Sequence, residues 1–218
     1  MRRPFFFLLL AFVALVGAAG CSAAGSSEGA GQVVAESRVV VLGDSYTVDS
    51  ADGAGYVPPV AEALDWVPLL EALDGTGYVA PGLTADPSPY RNRLDAVVAD
   101  RPDLVLVQGS TNDVGAPATE LAAAADQLYA ALAARLPDAR VVVLGPVGPP
   151  GVDPAGVAGV RDVLRQAAAA AGLTFIDPLA GGWLEPSEGL YADPVHPNEV
   201  GYRQLAIELV AALRAEGL

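Results

Sequence analysis

Short apolar runs alternate with longer segments of helical periodicity along the chain from Arg38 onward. The apolar runs are rich in Val and Leu, and they predict buried strands. These runs are Arg38–Leu42, Val67–Leu73, Leu104–Val107, Val141–Leu144 and Leu173–Ile176. Pro68 lacks a backbone N–H, so it favours an edge position or a later start for the second strand.

The segments between the apolar runs have the composition and spacing of helices. The predicted helices are Tyr56–Leu64, Pro89–Asp100, Ala116–Leu136, Pro154–Ala171 and Glu199–Ala215. Buried strands that are each followed by a helix imply a parallel sheet with both faces covered. We therefore expect a single α/β domain, a three-layer α/β/α sandwich with a parallel sheet of about five strands.

The first residues follow a different pattern, which is typical of an export signal. Arg2 and Arg3 precede the unbroken apolar run Phe5–Val16, and small residues follow it. This order of charged, apolar and small residues is that of a secretory signal peptide. We therefore expect residues 1–20 to be a signal peptide rather than part of the fold.

Cys21 is the only cysteine, and it directly follows the predicted signal peptide. The segment Ala18-Ala19-Gly20-Cys21 resembles the bacterial lipobox, in which the chain is cleaved before Cys and a lipid is attached to its sulfur. Residues 21–36 are rich in Gly, Ser and Ala, a composition typical of a flexible tether. We expect a protein anchored by its lipid to the outer face of the bacterial cell membrane. The alternative is a secreted protein with a free cysteine.

Composition excludes several kinds of chemistry. All 12 basic residues are Arg, so Schiff-base chemistry and a P-loop lysine are impossible. The single histidine rules out zinc sites that need two or three histidines. The net charge of −14 argues against nucleic acid as a partner. We therefore expect no cofactor, no metal and no nucleic-acid partner.

The single histidine, His196, lies just before the last predicted helix in Asp193-Pro194-Val195-His196-Pro197. On a tight turn the Asp193 carboxylate can accept the Nδ1–H of the imidazole, which leaves Nε2 as a base. The alternative is that His196 only begins a helix beside a proline.

Ser45 is the best candidate for a nucleophile. It follows the first predicted strand in Gly43-Asp44-Ser45, at the carboxyl edge of the sheet, where such folds bind ligands. The alternative is a serine that caps a helix. The pattern Gly-x-Ser-x-Gly also occurs at Gly25–Gly29, but it lies in the tether with no strand before it.

Acyl transfer also needs donors for an oxyanion. The backbone N–H of Gly75 or Gly77 follows the second predicted strand, and the side-chain amide of Asn112 follows the third. Either glycine can supply the donor. A glycine turn and an Asn-Asp loop cap are the ordinary alternatives for these features.

Taken together and in this order, four blocks resemble the SGNH (GDSL-type) hydrolases over about residues 38–216. The blocks are Gly43-Asp44-Ser45, Gly75, Asn112-Asp113 and Asp193-x-x-His196-Pro197. The resemblance implies a flavodoxin-like sandwich. It also implies an esterase, lipase, thioesterase or carbohydrate deacetylase.

The resemblance assigns a role to each matching residue. Ser45 would be the nucleophile, His196 the general base, and Asp193 the group that orients His196. The N–H groups of Ser45 and Gly75 and the side chain of Asn112 would form the oxyanion hole. We further interpret Asp44 and Asp113 as acceptors that fix loops. Residues near these blocks are candidates for the substrate pocket, namely Tyr46, Gly77, Tyr78, Trp183 and Tyr191.

We therefore predict that residues 37–218 form an SGNH hydrolase domain. It would cleave short-chain acyl esters of a small molecule, a lipid or a cell-surface glycan in two steps through Ser, His and Asp. The alternatives are a ligand-binding lipoprotein without activity and an O-acyltransferase or deacetylase of cell-envelope polysaccharide. A further alternative is a metal-dependent hydrolase that uses Asp193, His196 and another acidic residue. We expect a monomer that contacts the membrane only through the lipid on Cys21.

Overall fold

A computed structural model describes residues 37–50, 53–185 and 187–218. The predicted signal peptide, Cys21 and the tether lie outside the described residues. Five strands form one sheet, namely β1 (Ser37–Gly43), β2 (Trp66–Ala72), β3 (Leu104–Gln108), β4 (Arg140–Leu144) and β5 (Thr174–Ile176). Every neighbouring pair is parallel, and the strand order is β2-β1-β3-β4-β5.

This strand order confirms the predicted flavodoxin-like sandwich. The chain crosses from β1 to one neighbour, β2, and then returns to the other neighbour, β3. Connections on opposite sides of β1 leave a crevice at its carboxyl end, which is where such sheets bind ligands. Pro68 lies in β2, which is an edge strand as predicted.

Helices cover both faces of the sheet. In the described part of the chain they are α1 (Ser45–Val48), α2 (Val57–Leu64), α3 (Leu94–Ala99), α4 (Ala118–Arg135), α5 (Pro154–Ala170), α6 (Pro178–Gly181) and α7 (Glu199–Ala215). Short 3₁₀ turns at Tyr90–Arg93 and Thr111–Asp113 precede α3 and α4. No helix among these residues is long and apolar enough to cross a membrane.

The alternation of side chains along the strands divides the core into two layers. Val39 and Val41 of β1 belong to the cluster that includes residues of α2 and α7. Val40 and Leu42 belong to the opposite cluster, with residues of α3, α4 and α5. All four side chains are fully buried, and each contributes about 1.5–3 kcal/mol through burial. Strand β1, which ends at Gly43 and leads directly into Asp44 and Ser45, is therefore fixed from both faces.

The predicted elements all form, with small shifts at their ends. The region Pro89–Asp100 begins as a 3₁₀ turn before α3, and α4 begins at Ala118, after Pro117. The last helix has the predicted bounds, and it begins at Glu199 because the Asn198 side chain accepts hydrogen bonds from the N–H groups of Val200 and Gly201. The one-turn helices α1 and α6 were not predicted, since a single turn is too short to show helical periodicity.

Candidate active site

Ser45 is the first residue of α1, and only Asp44 separates it from Gly43, the last residue of β1. The Asp44 side chain accepts a hydrogen bond from the N–H of Tyr46 at 3.0 Å, and so caps the helix. The N–H of Asp44 donates to Gln108 Oε1 at 3.1 Å. A Cβ on Gly43 would overlap Thr47 Oγ1, so this turn requires glycine. The sequence around Ser45 thus holds its side chain at the carboxyl edge of the sheet.

Asp193 and His196 form the predicted tight turn before α7. One oxygen of Asp193, Oδ1, accepts the N–H groups of Val195 and His196, each at 2.7 Å. The other oxygen, Oδ2, lies 2.9 Å from His196 Nδ1. Hydrogen bonds from the backbone and side chain of His196 and from the Val195 N–H lower the pKa of Asp193 to about 2. Asp193 is therefore an ionised acceptor at neutral pH, and it favours the histidine tautomer with a proton on Nδ1.

Ser45 and His196 meet although they are 151 residues apart in the sequence. Ser45 Oγ lies 3.0 Å from His196 Nε2, which is free to accept the serine proton when Nδ1 carries the other one. The Tyr46 ring packs edge-on against the imidazole at 6.1 Å, and the Tyr46 hydroxyl donates to the Val195 carbonyl at 2.5 Å. Tyr46 therefore holds the histidine turn against the serine turn.

Two backbone N–H groups at the site are available to bind an oxyanion, those of Ser45 and Gly75. Within the described residues, neither the N–H of Ser45 nor that of Gly75 donates to a protein acceptor, and both residues line the same cleft. Gly75 has a φ of +68°, a conformation that favours glycine. The N–H of Gly77, by contrast, donates to the Ala80 carbonyl at 3.0 Å. The structure therefore favours Gly75 over Gly77 as the backbone donor.

Asn112 lies in the same cleft, but its amide is already engaged. Its Nδ2 donates to the Thr76 carbonyl at 3.0 Å and, over a longer distance of 3.3 Å, to Asp44 Oδ2. Ser110 Oγ accepts the Asn112 N–H at 3.1 Å and donates to the same Thr76 carbonyl at 3.0 Å. An oxyanion would therefore compete most easily with the longer bond, the one to Asp44.

Asp113 fixes the loop that follows β2. Its carboxylate accepts the N–H groups of Tyr78, Val79 and Ala80 at 2.9–3.0 Å. A Cβ on Gly77 would overlap this carboxylate, so glycine is required for the close approach. Burial raises the pKa of Asp113, and the three backbone donors oppose that shift. Asp113 is thus a loop-fixing acceptor, as the sequence predicts.

Asp44 has the same kind of role at the nucleophile turn. It is 2% exposed, and burial raises its pKa to about 6, against the hydrogen bond from Tyr46. Its two oxygens reach the Tyr46 N–H and the Asn112 amide. Asp44 therefore connects the turn of Ser45 to the loop of Asn112.

A cleft of about 590 Å³ opens above these groups. Besides Ser45, Gly75, Asn112, Asp193 and His196, it is lined by Asp49, Asp74, Leu83, Ala192, Val195 and Pro197. Leu83 is 82% exposed and lies on the loop that carries Gly75. Sequence reasoning missed Leu83, Asp49 and Asp74, because nothing in their neighbourhood distinguishes them from other loop residues.

None of the five residues proposed for the substrate pocket is among those that line this cleft. Tyr46 and Tyr78 are 4% and 2% exposed, since their rings pack inward and their hydroxyls bond to other protein groups. Gly77 lies against the Asp113 carboxylate, and Trp183 lines a separate crevice. Tyr191 is half-buried, and its hydroxyl donates to a backbone carbonyl at 3.4 Å.

No group of His, Cys, Asp and Glu among the described residues is arranged to hold a metal ion.

The strand order and the cleft at the carboxyl end of β1 define the class, a flavodoxin-like α/β protein. The model of the GDSL-like lipase/acylhydrolase family matches residues 41–204. The chain belongs to this family, as its sequence blocks predict, and it is a hydrolase.

Relatives of known description agree with this assignment. The chain is 30% identical over 190 residues to a GDSL lipase of Mycobacterium tuberculosis, an alignment that covers 82% of each protein. It shares its fold with the lipase/acylhydrolase from Enterococcus faecalis, with a TM-score of 0.66, 18% identity, and 83% and 96% of the two chains covered. The psychrotrophic esterase EstA from Pseudoalteromonas sp. matches with a TM-score of 0.64, 19% identity, and 82% and 97% covered.

Proposed function

We propose that this protein is a serine esterase that hydrolyses acyl esters in two steps, with Ser45 as nucleophile. The observation that carries the proposal is the chain of contacts from Ser45 Oγ to His196 Nε2 at 3.0 Å and from His196 Nδ1 to Asp193 at 2.9 Å. These distances are within hydrogen-bond reach for a nucleophile, its base and the group that orients the base.

In the first step, His196 Nε2 removes the Ser45 proton as Oγ bonds to the ester carbonyl carbon. The carbonyl electron pair moves to oxygen and gives a tetrahedral oxyanion. Asp193 remains ionised and stabilises the imidazolium. When the oxyanion collapses, the ester C–O bond breaks and the imidazolium protonates the leaving alcohol.

The oxyanion would be held by the N–H groups of Ser45 and Gly75 and by the Asn112 amide. Loss of a single donor of this kind costs about 2.7–4 kcal/mol of barrier in a hydrolase where it has been removed. The two backbone donors need no rearrangement, whereas Asn112 would exchange its 3.3 Å bond to Asp44 for the oxyanion. We therefore expect Asn112 to contribute less than either backbone group.

In the second step, His196 deprotonates a water that attacks the acyl group on Ser45. Oγ then leaves and takes back the proton. The His196 side chain is 36% exposed and that of Asp193 is 50% exposed, so water reaches the base directly. This access supports hydrolysis as the fate of the acyl-enzyme.

The walls of the cleft support a neutral substrate, and we propose that its acyl chain is short. Leu83, Val195 and Pro197 offer apolar surface, while Asp49 and Asp74 place negative charge at the same cleft. Carboxylates repel an anionic substrate within about 10 Å at ordinary ionic strength. A panel of neutral esters from acetate to decanoate, run beside acetylated polysaccharides, tests this proposal. A maximum at long chains would contradict it.

For the chain as a whole, we propose export and lipid attachment at Cys21, with the enzyme held at the outer face of the cell membrane. The signal-like pattern of residues 1–20 and the lipobox-like segment before Cys21 support this location.

The replacement Ser45→Ala tests the proposed nucleophile. We expect hydrolysis of p-nitrophenyl acetate to fall to the background rate, because no other group replaces Oγ, while the thermal unfolding midpoint stays within a few degrees. Ser37→Ala is a matched control, since Ser37 is exposed at the opposite end of β1 and should keep full activity. Substantial activity in Ser45→Ala would contradict the assignment.

A further inference from the structure

Arg93 is a buried cation that the proposed reaction does not use. It ends the 3₁₀ turn Tyr90–Arg93 and is 7% exposed. Among the ion pairs of the described residues, none involves Arg93; its guanidinium instead lies 5.1 Å from the centre of the Tyr90 ring. Burying a charge without a carboxylate partner costs free energy. The hydrogen bonds that the Arg93 guanidinium makes must therefore offset this cost.

The guanidinium hydrogen-bonds to three separate segments at the carboxyl edge of the sheet. Nη1 donates to the Gly43 carbonyl at 3.0 Å and to the Glu71 carbonyl. Nη2 donates to Thr76 Oγ1 at 2.9 Å. These acceptors lie at the ends of β1 and β2 and in the loop after β2. A planar guanidinium presents its donors in a fixed fork, so the three contacts set the distances between the segments.

Two of those segments, the end of β1 and the loop after β2, lead into or carry proposed oxyanion donors. Gly43 stands two residues before Ser45, and Thr76 directly follows Gly75. The Thr76 carbonyl also accepts the Asn112 amide at 3.0 Å. Arg93 therefore contacts, directly or through one residue, each of the three segments that would bind the oxyanion.

We propose that Arg93 is a positioning residue that holds the Ser45 and Gly75 N–H groups at the spacing an oxyanion requires. The inference rests on the proposed function. Donors must lie about 2.7–3.1 Å from the oxyanion, and a misplacement of about 1 Å can cost about 100-fold in rate. A positioning role therefore acts on the transition state rather than on substrate binding.

The test compares Arg93→Lys and Thr76→Val with two matched controls. Arg91→Lys makes the same change on the same 3₁₀ turn, where Arg91 is exposed and bonds to Gln127. Thr76→Ser keeps the hydroxyl that accepts from Arg93. The measurements are kcat and KM for p-nitrophenyl acetate, the Ki of phenylboronic acid, which mimics the tetrahedral oxyanion, and the thermal unfolding midpoint. Titration with a fluorophosphonate gives the active fraction.

We expect Arg93→Lys to lower kcat by about 10- to 100-fold per active molecule, with KM within about threefold of the wild type. The boronate Ki should rise by a similar factor to the fall in kcat/KM. Thr76→Val should show a smaller loss of the same kind, and both controls should stay within about twofold of the wild type.

A purely structural role gives a different result and would overturn the proposal. In that case Arg93→Lys lowers the unfolding midpoint or the active fraction, but its active molecules keep the wild-type kcat and boronate Ki. Failure of the proposed function gives a third result. The wild type itself would then neither hydrolyse the ester nor be inhibited by the boronate. In that case both proposals would be wrong.

Discussion

At the residue scale, Asp44 shows how the site tolerates a buried acid. Its carboxyl is almost inaccessible, yet both of its oxygens have hydrogen-bond donors, from the Tyr46 N–H and the Asn112 amide. Burial nevertheless raises its pKa to about 6. The folded protein thus binds this proton more tightly than the unfolded chain does, where an Asp titrates near pH 4. Ionising Asp44 at neutral pH therefore costs stability.

This cost predicts a pH-dependent effect of Asp44→Asn. The stability that wild-type Asp44 gives is present below pH 4 and is lost as the pH rises through about 6, while Asn does not titrate. Asn still accepts the capping hydrogen bond. From pH 4 to pH 8, the free energy of unfolding of the variant relative to the wild type should rise by roughly 3 kcal/mol at most. Urea unfolding of both proteins at several pH values measures this difference in the free energy of unfolding. A difference that does not change with pH would contradict the assigned cause.

The residue scale also shows why some site residues could be predicted from sequence and others could not. The Asp-x-x-His spacing closes a local turn, and its hydrogen bonds depend only on neighbouring residues. Tyr46 also flanks Ser45, but its ring turns inward because its hydroxyl reaches Val195, 149 residues away. Leu83 is exposed in the cleft through the path of its loop. Sequence spacing carries no information on such long-range packing.

At the scale of elements, the loop after β2 depends on one carboxylate from another loop. Asp113 accepts three consecutive backbone N–H groups, from Tyr78 to Ala80, and it approaches Gly77 too closely for any side chain there. The loop also carries Gly75 and Leu83, so its shape sets one wall of the cleft.

Gly77→Ala tests this dependence. The new methyl group would overlap the Asp113 carboxylate, which cannot move without losing its hydrogen bonds. We expect a loss of about 1–3 kcal/mol in the free energy of unfolding, together with a reduced kcat. Urea unfolding and ester hydrolysis measure the two effects.

Gly159→Ala is the matched control, because Gly159 is exposed in α5 and a Cβ there meets no atom within 4 Å. Alanine in the helix should be neutral or stabilising by up to about 1 kcal/mol. Equal effects of the two alanines would show that the Asp113 contact does not matter.

The elements themselves were largely predictable, for a physical reason. A buried strand needs an unbroken apolar run, and a helix on its face needs a 3.6-residue period, so both leave a direct mark on the sequence. The one-turn helix α1 leaves none, since it depends on the Asp44 cap and on the position of β1. Longer helices and strands are therefore easier to predict from the sequence than one-turn elements.

At the scale of the whole molecule, a parallel sheet gathers residues from distant parts of the chain at one edge. One cleft is lined by residues that follow different strands and helices, namely Ser45, Gly75, Asn112 and His196. The chain carries a net charge of −14, which disfavours binding to anionic surfaces. A covalent lipid anchor would hold such an acidic chain at a membrane despite this repulsion.

We expect Cys21 to provide that anchor. In a bacterial host, the wild type should take up an alkyne-tagged fatty acid and sediment with membranes, whereas Cys21→Ser should do neither. Ser22→Ala, one residue further along, serves as control and should behave as the wild type. Unlabelled wild-type protein in the medium would show a secreted enzyme instead.

The central claim is that Ser45 is the nucleophile of an ester hydrolase, and covalent labelling tests it most directly. The measurement is intact-mass and peptide-mapping spectrometry of the wild type after reaction with a fluorophosphonate probe. The predicted result is one adduct per chain, on Ser45, with loss of esterase activity in proportion to labelling. An active enzyme that remains unlabelled, or that carries the adduct on another residue, would contradict the claim.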